Sequence, residues 1–585
     1  MKNLASAVLA GALACTPLAN ADDSSPSQGV LTADSEVWIA TVRQTVDTIR
    51  SRHPDPFSKV GELTFMRAAD RLLHDIPRLS PEERAVRLMQ LVAMLADGHT
   101  RLELIDPAYA RWYPIRIREY ADGYFITSAH ESVAELAGAE VLEIGDRPAG
   151  EVIDLARSLM GADNAMDETE RMYAVHNAFL MEGLGVAVPG EALRFRLRLR
   201  GGRVVDRALE PHAGEARYGE GAPVFDWHYY AEVYGLPIGS HEDWVAAFGT
   251  TPSEAFLTAD ETRPPFWGHR ARYYRRYIPE HDTLYLQLNQ TDDTTFVAYI
   301  REALEIADRE RPAHFVIDMR NNFGGDGSIA GEMIREFIRR GPETPWENLY
   351  VVTGPKTFSA AMAILAQFAE HTDASFIGEP AGAAWNSYGD AEAHPLPGIG
   401  ASLSVSEVRH QLSRSNDRSA FTPVDVPAVW RFSDYLAGRD PALDPILEGR
   451  DMRSIANIAL EEGGEAARRA YLARLDEARS LDWWAPPEEI VLRRVCDRLL
   501  RQERFADAVE TCRLNSEIHP YIWNTWYNLG LTLRASGMEQ EGLSALRCVV
   551  ELAPTNWNVP AILNLYDRVG VHRADLELPA GCPAR

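Results

Sequence analysis

The alternation of strand-like and helix-like segments between residues 282 and 377 is the feature that most constrains this fold. Apolar runs as short as buried strands recur there, and segments with helical periodicity separate them. The predicted strands are 282–288, 314–318, 348–352 and 375–377, and the predicted helices are 295–309, 329–340 and 359–371. Such alternation predicts an α/β domain with a mostly parallel sheet and helices on its faces. We place this domain at 213–435, with 213–276 as an aromatic, proline-bearing insertion or linker.

The chain of 585 residues is too long for one hydrophobic core, so we expect further domains. Residues 22–107 have helical periodicity, and the segment Ser80-Pro81-Glu82-Glu83 is a capping-box helix start. Residues 108–212 are predicted to be β-rich, because strand-like runs at 124–127, 140–144 and 193–199 are separated by glycine turns. The whole chain is therefore predicted to be multidomain α/β.

The C-terminal part contains an internal repeat. The residues Trp526, Leu529 and Gly530, shifted back by 34 positions, fall on Leu492, Val495 and Cys496. That period and the W-x-x-L-G core are typical of tetratricopeptide repeats, which stack helical hairpins into a concave face. We place these repeats at 485–570, after a helical linker at 436–484. They are expected either to bind a protein partner or to serve only as a packing appendage.

The charge and the N-terminus bear on location and partners. A formal net charge of -27 argues against nucleic acid and anionic membrane surfaces as partners. Residues 1–21 have the charged, apolar and small-residue regions of a signal peptide. Cys15 lacks the leucine expected three residues before a lipoprotein cysteine, so we do not expect lipid anchoring there. No other apolar run is long enough for an integral membrane span. The mature protein is therefore expected to be extracytoplasmic, either periplasmic or secreted.

Four cysteines remain after removal of that segment: Cys496, Cys512, Cys548 and Cys582. Their spacing fits no zinc pattern. One disulfide or buried, unpaired thiols are both compatible with an oxidising compartment. We expect neither a metal nor a cofactor.

Two residues are candidates for nucleophilic catalysis. Ser359 follows a predicted strand and begins an alanine-rich helix, where free backbone N–H groups favour negative charge. A serine at that position can instead be an ordinary helix cap. His99 lies in Asp97-Gly98-His99-Thr100, where Gly98 is expected to allow a sharp turn that exposes the imidazole. A histidine near a helix end can equally be structural.

A third segment offers backbone donors. The residues from Arg320 to Gly325 follow a buried strand, and their N–H groups can converge on an oxyanion or a phosphate. No Gly-Lys-Ser/Thr follows, which excludes a Walker loop.

These segments occur in an order that resembles the tail-specific, or C-terminal-processing, serine peptidase superfamily. The resemblance covers about 35–429 and includes the motif at 97–100, the segment 316–325, Thr357-Phe358-Ser359-Ala360-Ala361 and the segment 378–382. The superfamily also contains the tricorn core protease and interphotoreceptor retinoid-binding protein. The resemblance implies a crotonase-like α/β catalytic domain at 213–435 and a degenerate PDZ-like module at 108–212, which in the family receives extended polypeptide by strand addition.

The resemblance also implies roles for residues. Tail-specific members use a lysine about 25 residues after the serine, but Lys356 is the last lysine here, three residues before the serine. The histidine-dependent, tricorn-like branch remains, with Ser359 as nucleophile and His99 as base. Asp417 matches the position of the acid, although the family usually has glutamate, and Glu379 is the alternative. Backbone N–H groups of Ala360 and of Gly324 or Gly325 are expected to bind the oxyanion.

The sequence thus predicts an exported serine peptidase that cleaves extended or unfolded polypeptides. Two alternatives remain at this point: a noncatalytic binder that uses the same scaffold, as in the retinoid-binding relative, and an esterase that acts on small acyl groups.

Overall fold

The computed structural model describes residues 33–213, 244–247, 273–291, 294–341 and 343–583. The predicted signal peptide at 1–21, with Cys15, lies outside these residues, as does most of the predicted insertion at 213–276. Among the helices that are described, none combines the length and the apolar character needed to cross a membrane.

Three helices begin the described chain: α1 (Ala33–Arg52), α2 (Glu62–Asp75) and α3 (Pro81–Ala93). The predicted capping box of α3 is confirmed, because Ser80 Oγ accepts from the N–H of Glu83 while the Glu83 carboxylate accepts from the N–H of Ser80. After α3 the chain turns and enters the short strand β1 (Arg101–Leu104). His99 lies in this turn.

A β-rich unit follows, as predicted. Its strands are β2 (Arg111–Trp112), β3 (Ile115–Tyr120), β4 (Gly123–His130), β5 (Glu140–Ile144), β6 (Arg147–Pro148), β7 (Leu193–Arg198), β8 (Val204–Leu209), β9 (His212–Ala213) and β10 (Trp244–Ala246). Its helices are α4 (Ala149–Arg157), α5 (Ala165–Glu170) and α6 (Ala178–Gly183). Seven of the strands form one sheet with the path β10-β4-β5-β7-β8, and β3 and β6 pair at its side. Alternate residues of β7 are buried, which matches the period of a sheet with one face on the core.

The predicted α/β alternation is confirmed. The strands are β11 (Tyr273–Ile278), β12 (Thr283–Leu288), β13 (His314–Asp318), β14 (Asn348–Thr353) and β15 (Ser375–Gly378), followed later by β18 (Val426–Pro427). The helices between them are α7 (Thr294–Glu310), α8 (Ala330–Ile338) and α9 (Ala360–His371). The six strands form one sheet in the order β11-β12-β13-β14-β15-β18, in which only the β11–β12 pair is antiparallel. All six residues of β12 are buried, because both faces of the sheet are covered.

A long hairpin that the sequence patterns did not predict lies between β15 and β18. Its strands are β16 (Asn386–Leu396) and β17 (Ala401–Gln411), and β17 also pairs with β1. The register places Arg101 opposite Ser404 across this antiparallel pair. The hairpin therefore joins the segment after His99 to the α/β part of the chain, across about 300 residues of sequence.

Helices make up the rest of the described chain. They are α10 (Phe432–Ala437), α11 (Leu443–Leu447), α12 (Ile455–Glu462), α13 (Gly464–Glu477), α14 (Glu489–Arg501), α15 (Phe505–Ile518), α16 (Trp523–Ala535), α17 (Glu539–Leu552) and α18 (Val559–Val569). The two alternatives for the cysteines were a disulfide and buried, unpaired thiols, and each is found for one pair. Cys548 and Cys582 form a disulfide, whereas Cys496 and Cys512 are buried free thiols.

Candidate active site

Ser359 stands at the N-terminus of α9 in a strained backbone conformation. Its φ of 54° and ψ of -126° fall in a region that side-chain-bearing residues rarely adopt. The side chain does not cap the helix. Its Oγ instead lies 2.9 Å from Nε2 of His99. The structure thus pairs this serine with the predicted histidine. The alternative, that Ser359 is an ordinary helix cap, is not found.

The loop before Ser359 is fastened to the loop that contains the two glycines. Thr357 donates its hydroxyl to the carbonyl of Met319, at 2.9 Å. The N–H of Phe358 donates to the carbonyl of Asn322, also at 2.9 Å. Because these loops follow the neighbouring parallel strands β13 and β14, they emerge at the same sheet edge, where α/β proteins commonly place their sites.

The backbone around His99 is held by buried polar groups. The N–H of Gly98 donates to the carboxylate of Asp163 at 3.0 Å, and Arg171 donates to the Gly98 carbonyl at 3.1 Å. The imidazole stacks on Phe358, with ring centroids 4.5 Å apart and planes inclined by 25°. Backbone and ring are therefore fixed from different sides.

Gly98 has a role other than the predicted one. It is absent from the glycines with positive φ, so the turn does not require its conformational freedom. A Cβ at this position would lie 2.7 Å from Cζ of Phe358 and 2.7 Å from Oδ2 of Asp167. Glycine is needed here because neighbouring side chains pack where a side chain would be.

Burial lowers the pKa of His99 from its ordinary value to about 4, while the carboxylate of Asp97 acts in the opposite direction. The imidazole is therefore neutral near pH 7, and its Nε2 can accept the proton of Ser359. Its Nδ1 is shielded from solvent and has no hydrogen-bond partner within the described part of the chain.

The two predicted acids do not meet His99. The Asp417 carboxylate accepts hydrogen bonds from the Ser413 hydroxyl at 2.6 Å and from the N–H of Ser419 at 2.9 Å. Glu379 instead lines a cavity, where burial raises its pKa to about 7. The expectation of an acid bonded to Nδ1 is thus not met by either residue, because motif spacing fixes the order of segments and not the direction of a side chain.

Lys356 is buried. It lines the same cavity of about 210 Å³, together with Arg118 and Glu170, whereas Ser359 is not among the lining residues. Burial holds the pKa of Lys356 well below its ordinary value.

Of the two glycines predicted to bind the oxyanion, Gly324 packs beside Ser359. A Cβ on Gly324 would be 2.6 Å from Cβ of Ser359 and 2.8 Å from N of Ala360, so the glycine backbone packs directly on Ser359. The N–H of Gly324 donates to the Asn322 side chain at 3.0 Å. The N–H groups of Gly325 and Ala360 do not donate to any backbone carbonyl of the residues described. Of the two glycines, Gly325 therefore has the available donor.

No protein-family model matches the sequence, and no curated protein sequence matches it. Solved structures similar to this chain include mature CPAF, with 10% identity, a TM-score of 0.48, and coverage of 72% of this chain and 99% of that one. The photosystem II D1 C-terminal processing protease has 13% identity and a TM-score of 0.30, with 68% and 93% covered. Tricorn protease has 13% identity and a TM-score of 0.31, with 71% and 36% covered.

The structural neighbours of this chain come from the tail-specific protease superfamily. The likeness is one of fold, and it assigns no role to any residue of this chain.

Sequence reasoning missed the side chains behind the histidine. Ser406 of β17 donates its hydroxyl to Asp97 at 2.7 Å, and its N–H donates to the Thr100 hydroxyl at 3.0 Å. His53 of the loop after α1 also contacts Asp97. Of these residues, only Asp97 and Thr100 belong to the motif that contains His99. Ser406 and His53 could not be linked to it from the sequence, because they are distant along the chain.

One group of metal-ligand side chains occurs among the described residues. Atoms of Glu392, His394 and Glu407 lie within 4.8 Å of one another. The guanidinium of Arg52 is 3.5 Å from Glu407 and supplies positive charge there.

Proposed function

We propose that this chain is a serine peptidase in which Ser359 is the nucleophile and His99 is the general base. The observation that carries the proposal is the 2.9 Å contact between Ser359 Oγ and His99 Nε2. Two features support it. The serine is held in a strained conformation at a helix N-terminus, and the imidazole is neutral near pH 7.

The geometry supports an acyl-transfer mechanism. His99 Nε2 takes the proton of Ser359 as Oγ attacks the carbonyl carbon, and the carbonyl electron pair moves onto oxygen. The N–H groups of Ala360 and Gly325 bind this oxyanion, each donor contributing about 3 kcal/mol. The oxyanion then collapses, the C–N bond breaks, and His99 returns the proton to the leaving amine. Water, deprotonated by His99, hydrolyses the acyl-enzyme and restores Ser359.

Extended polypeptide is the proposed substrate. The strand β8 ends the seven-stranded sheet and pairs on one side with β7. An edge strand of this kind can receive an extended peptide by strand addition. The paired helices from α14 to α17 form a separate surface, which we propose as a site for a protein partner.

Export is also part of the proposal. The signal-like residues 1–21 support it, and so does the disulfide between Cys548 and Cys582, because such bonds persist in oxidising compartments.

A fluorophosphonate probe tests the proposal directly. It should label the wild-type protein and fail to label Ser359→Ala, while His99→Ala should label at least 10³-fold more slowly. Ser158→Ala is the matched control, because that exposed hydroxyl contacts only the carbonyl of Leu155 and the side chain of Gln90 among the described residues, and it should label normally. Absence of labelling in wild type at pH 7–8 would refute the mechanism.

A second comparison separates a peptidase from an esterase. The protein should degrade reduced, unfolded polypeptide, and Ser359→Ala should not. Hydrolysis of a nitrophenyl ester without any cleavage of unfolded polypeptide would overturn the peptidase assignment and leave Ser359 as the nucleophile of an esterase.

A further inference from the structure

The buried Nδ1 of His99 has no hydrogen-bond partner among the described residues. When Nε2 accepts the Ser359 proton, the ring becomes a cation, and serine hydrolases usually stabilise that cation with a carboxylate on Nδ1. In the described residues, Nδ1 has no such partner, and Asp417 is bound to two serines. A cation in a water-poor site without a counter-charge would be costly. A negative charge that stabilises the imidazolium must therefore come from a group that is not bonded to Nδ1.

Asp97 is the carboxylate that the structure brings to the histidine. It is 3% exposed, and its Oδ1 accepts from the backbone N–H of His99 at 3.1 Å. Three side chains surround its Oδ2: His53 at 3.2 Å, Thr100 at 2.5 Å and Ser406 at 2.7 Å. The four contacts come from the loop after α1, the histidine turn itself and β17.

The hydrogen atoms in this cluster can be assigned. Nδ1 of His53 accepts from the N–H of Asp55 at 3.1 Å, so the neutral ring carries its proton on Nε2 and donates it to Asp97. The hydroxyl of Thr100 accepts from the N–H of Ser406 and donates to Asp97. Every contact thus favours the ionised carboxylate. Burial alone would raise the pKa of Asp97, but these donors hold it well below its usual range.

We propose that Asp97 is the positioning residue of this site. From the backbone side of His99, it supplies the negative charge that stabilises the imidazolium. Asp417 has no part in catalysis. This inference rests on the proposed function. Asp97 acts in two ways. It anchors the His99 backbone through Oδ1, and its fixed charge acts through a shielded region without touching the imidazole.

The other charges around His99 make this carboxylate more important. Besides Asp97, the groups that act on the imidazole are Arg101 of β1, Arg171 after α5 and His410 of β17, and each of these favours the neutral ring. Arg171 is itself paired with Asp167 at 2.7 Å. Of these groups, Asp97 is the one that favours the imidazolium, and its loss would remove that contribution.

The first test does not depend on catalysis. Nuclear magnetic resonance of ¹³C-labelled histidine in Ser359→Ala protein should show the His99 ring titrating near pH 4, with His99→Gln to assign the signal. Adding Asp97→Asn should move this titration to lower pH, because the charge that favours the imidazolium is gone. Adding Asp417→Asn should leave it in place. An unchanged titration in Asp97→Asn, or a shift in Asp417→Asn instead, would overturn the proposal.

The second test measures kinetics. Asp97→Asn should lower kcat by about 10²-fold with KM nearly unchanged, because Asp97 does not touch substrate. The loss is smaller than the ~10⁴-fold cost of a triad aspartate that bonds its histidine directly. The acid limb of kcat/KM should also move to lower pH, which a merely structural role would not cause. Asp417→Asn should keep wild-type kcat within about twofold, and a loss greater than that of Asp97→Asn would refute our assignment.

A milder variant tests the proposal if Asp97→Asn does not fold. Ser406→Ala removes one donor to Asp97 and should lower kcat several-fold, whereas Ser404→Ala on the same strand should not. Equal activity of the two serine variants would count against the proposal. Failure of the proposed function is a separate result: wild type would not label with fluorophosphonate, while the magnetic resonance titration would still decide whether Asp97 controls His99.

Discussion

Replacing Gly98 with alanine should misplace His99 while leaving every catalytic group in the protein. A Cβ at this position would lie 2.7 Å from Cζ of Phe358 and from Oδ2 of Asp167. Both atoms would have to recede by roughly 0.7–1 Å to reach ordinary contact distances. Neither can do so freely. Phe358 is 6% exposed and stacks on His99, and Asp167 is 2% exposed and is paired with Arg171.

The magnitude follows from the contact that would be disturbed. His99 Nε2 is 2.9 Å from Ser359 Oγ, so a shift of about 1 Å takes the pair out of hydrogen-bond range. A misplacement of that size typically reduces the rate about 10²-fold. Overpacking should also lower the free energy of unfolding by roughly 1–3 kcal/mol.

The assay is the rate of fluorophosphonate labelling, measured together with unfolding by denaturant. The matched control is Gly201→Ala, since a Cβ there meets nothing within 4 Å and the residue is not among the glycines with positive φ. Gly201→Ala should label at the wild-type rate. If Gly98→Ala also labelled at the wild-type rate, the argument that close packing at this glycine positions the histidine would be wrong.

Three further predictions follow from the same structure. The labelling rate should be constant between pH 6 and 8 and fall tenfold per unit below about pH 4, because only the neutral form of His99 accepts a proton and its pKa is lowered to about 4. Ser359→Gly should exceed Ser359→Ala in unfolding free energy by roughly 1 kcal/mol, because glycine relieves the strain at a φ of 54° and alanine does not. Replacing Cys548 and Cys582 together by serine should lower the stability of the C-terminal helices by about 4 kcal/mol, given their sequence separation of 34, and reducing agent should destabilise wild type but not the variant.

Much of the α/β fold could be predicted because it is encoded locally. The strand His314–Asp318 and the helix Ala360–His371 have the lengths and periodicities of their elements, and the structure places them within a residue or two of the prediction. The long β16–β17 hairpin was missed. Its first strand has few large apolar residues, and β1, which pairs with its second strand, lies about 300 residues earlier, so no short window contains both partners.

The candidate site divides in the same way. Ser359, His99 and the glycine loop could be named from the sequence because each lies in a short ordered motif. Whether Asp417 contacts His99 could not be predicted, since its spacing gives a position along the chain and no direction in space. The structure also showed that the N–H of Gly324 is already bonded to Asn322, which leaves Gly325 as the proposed donor.

The sequence by itself determined the α/β alternation, the pairing of a candidate serine with a candidate histidine, and the absence of a lysine after Ser359. These are properties of residue identity and local periodicity. Only the tertiary structure decided that Ser359 Oγ meets His99 and that Asp97, which His53, Thr100 and Ser406 also contact, accepts from the backbone N–H of His99. The physical reason is that hydrogen bonding and charge depend on distance in space, and folding brings these groups together from segments hundreds of residues apart.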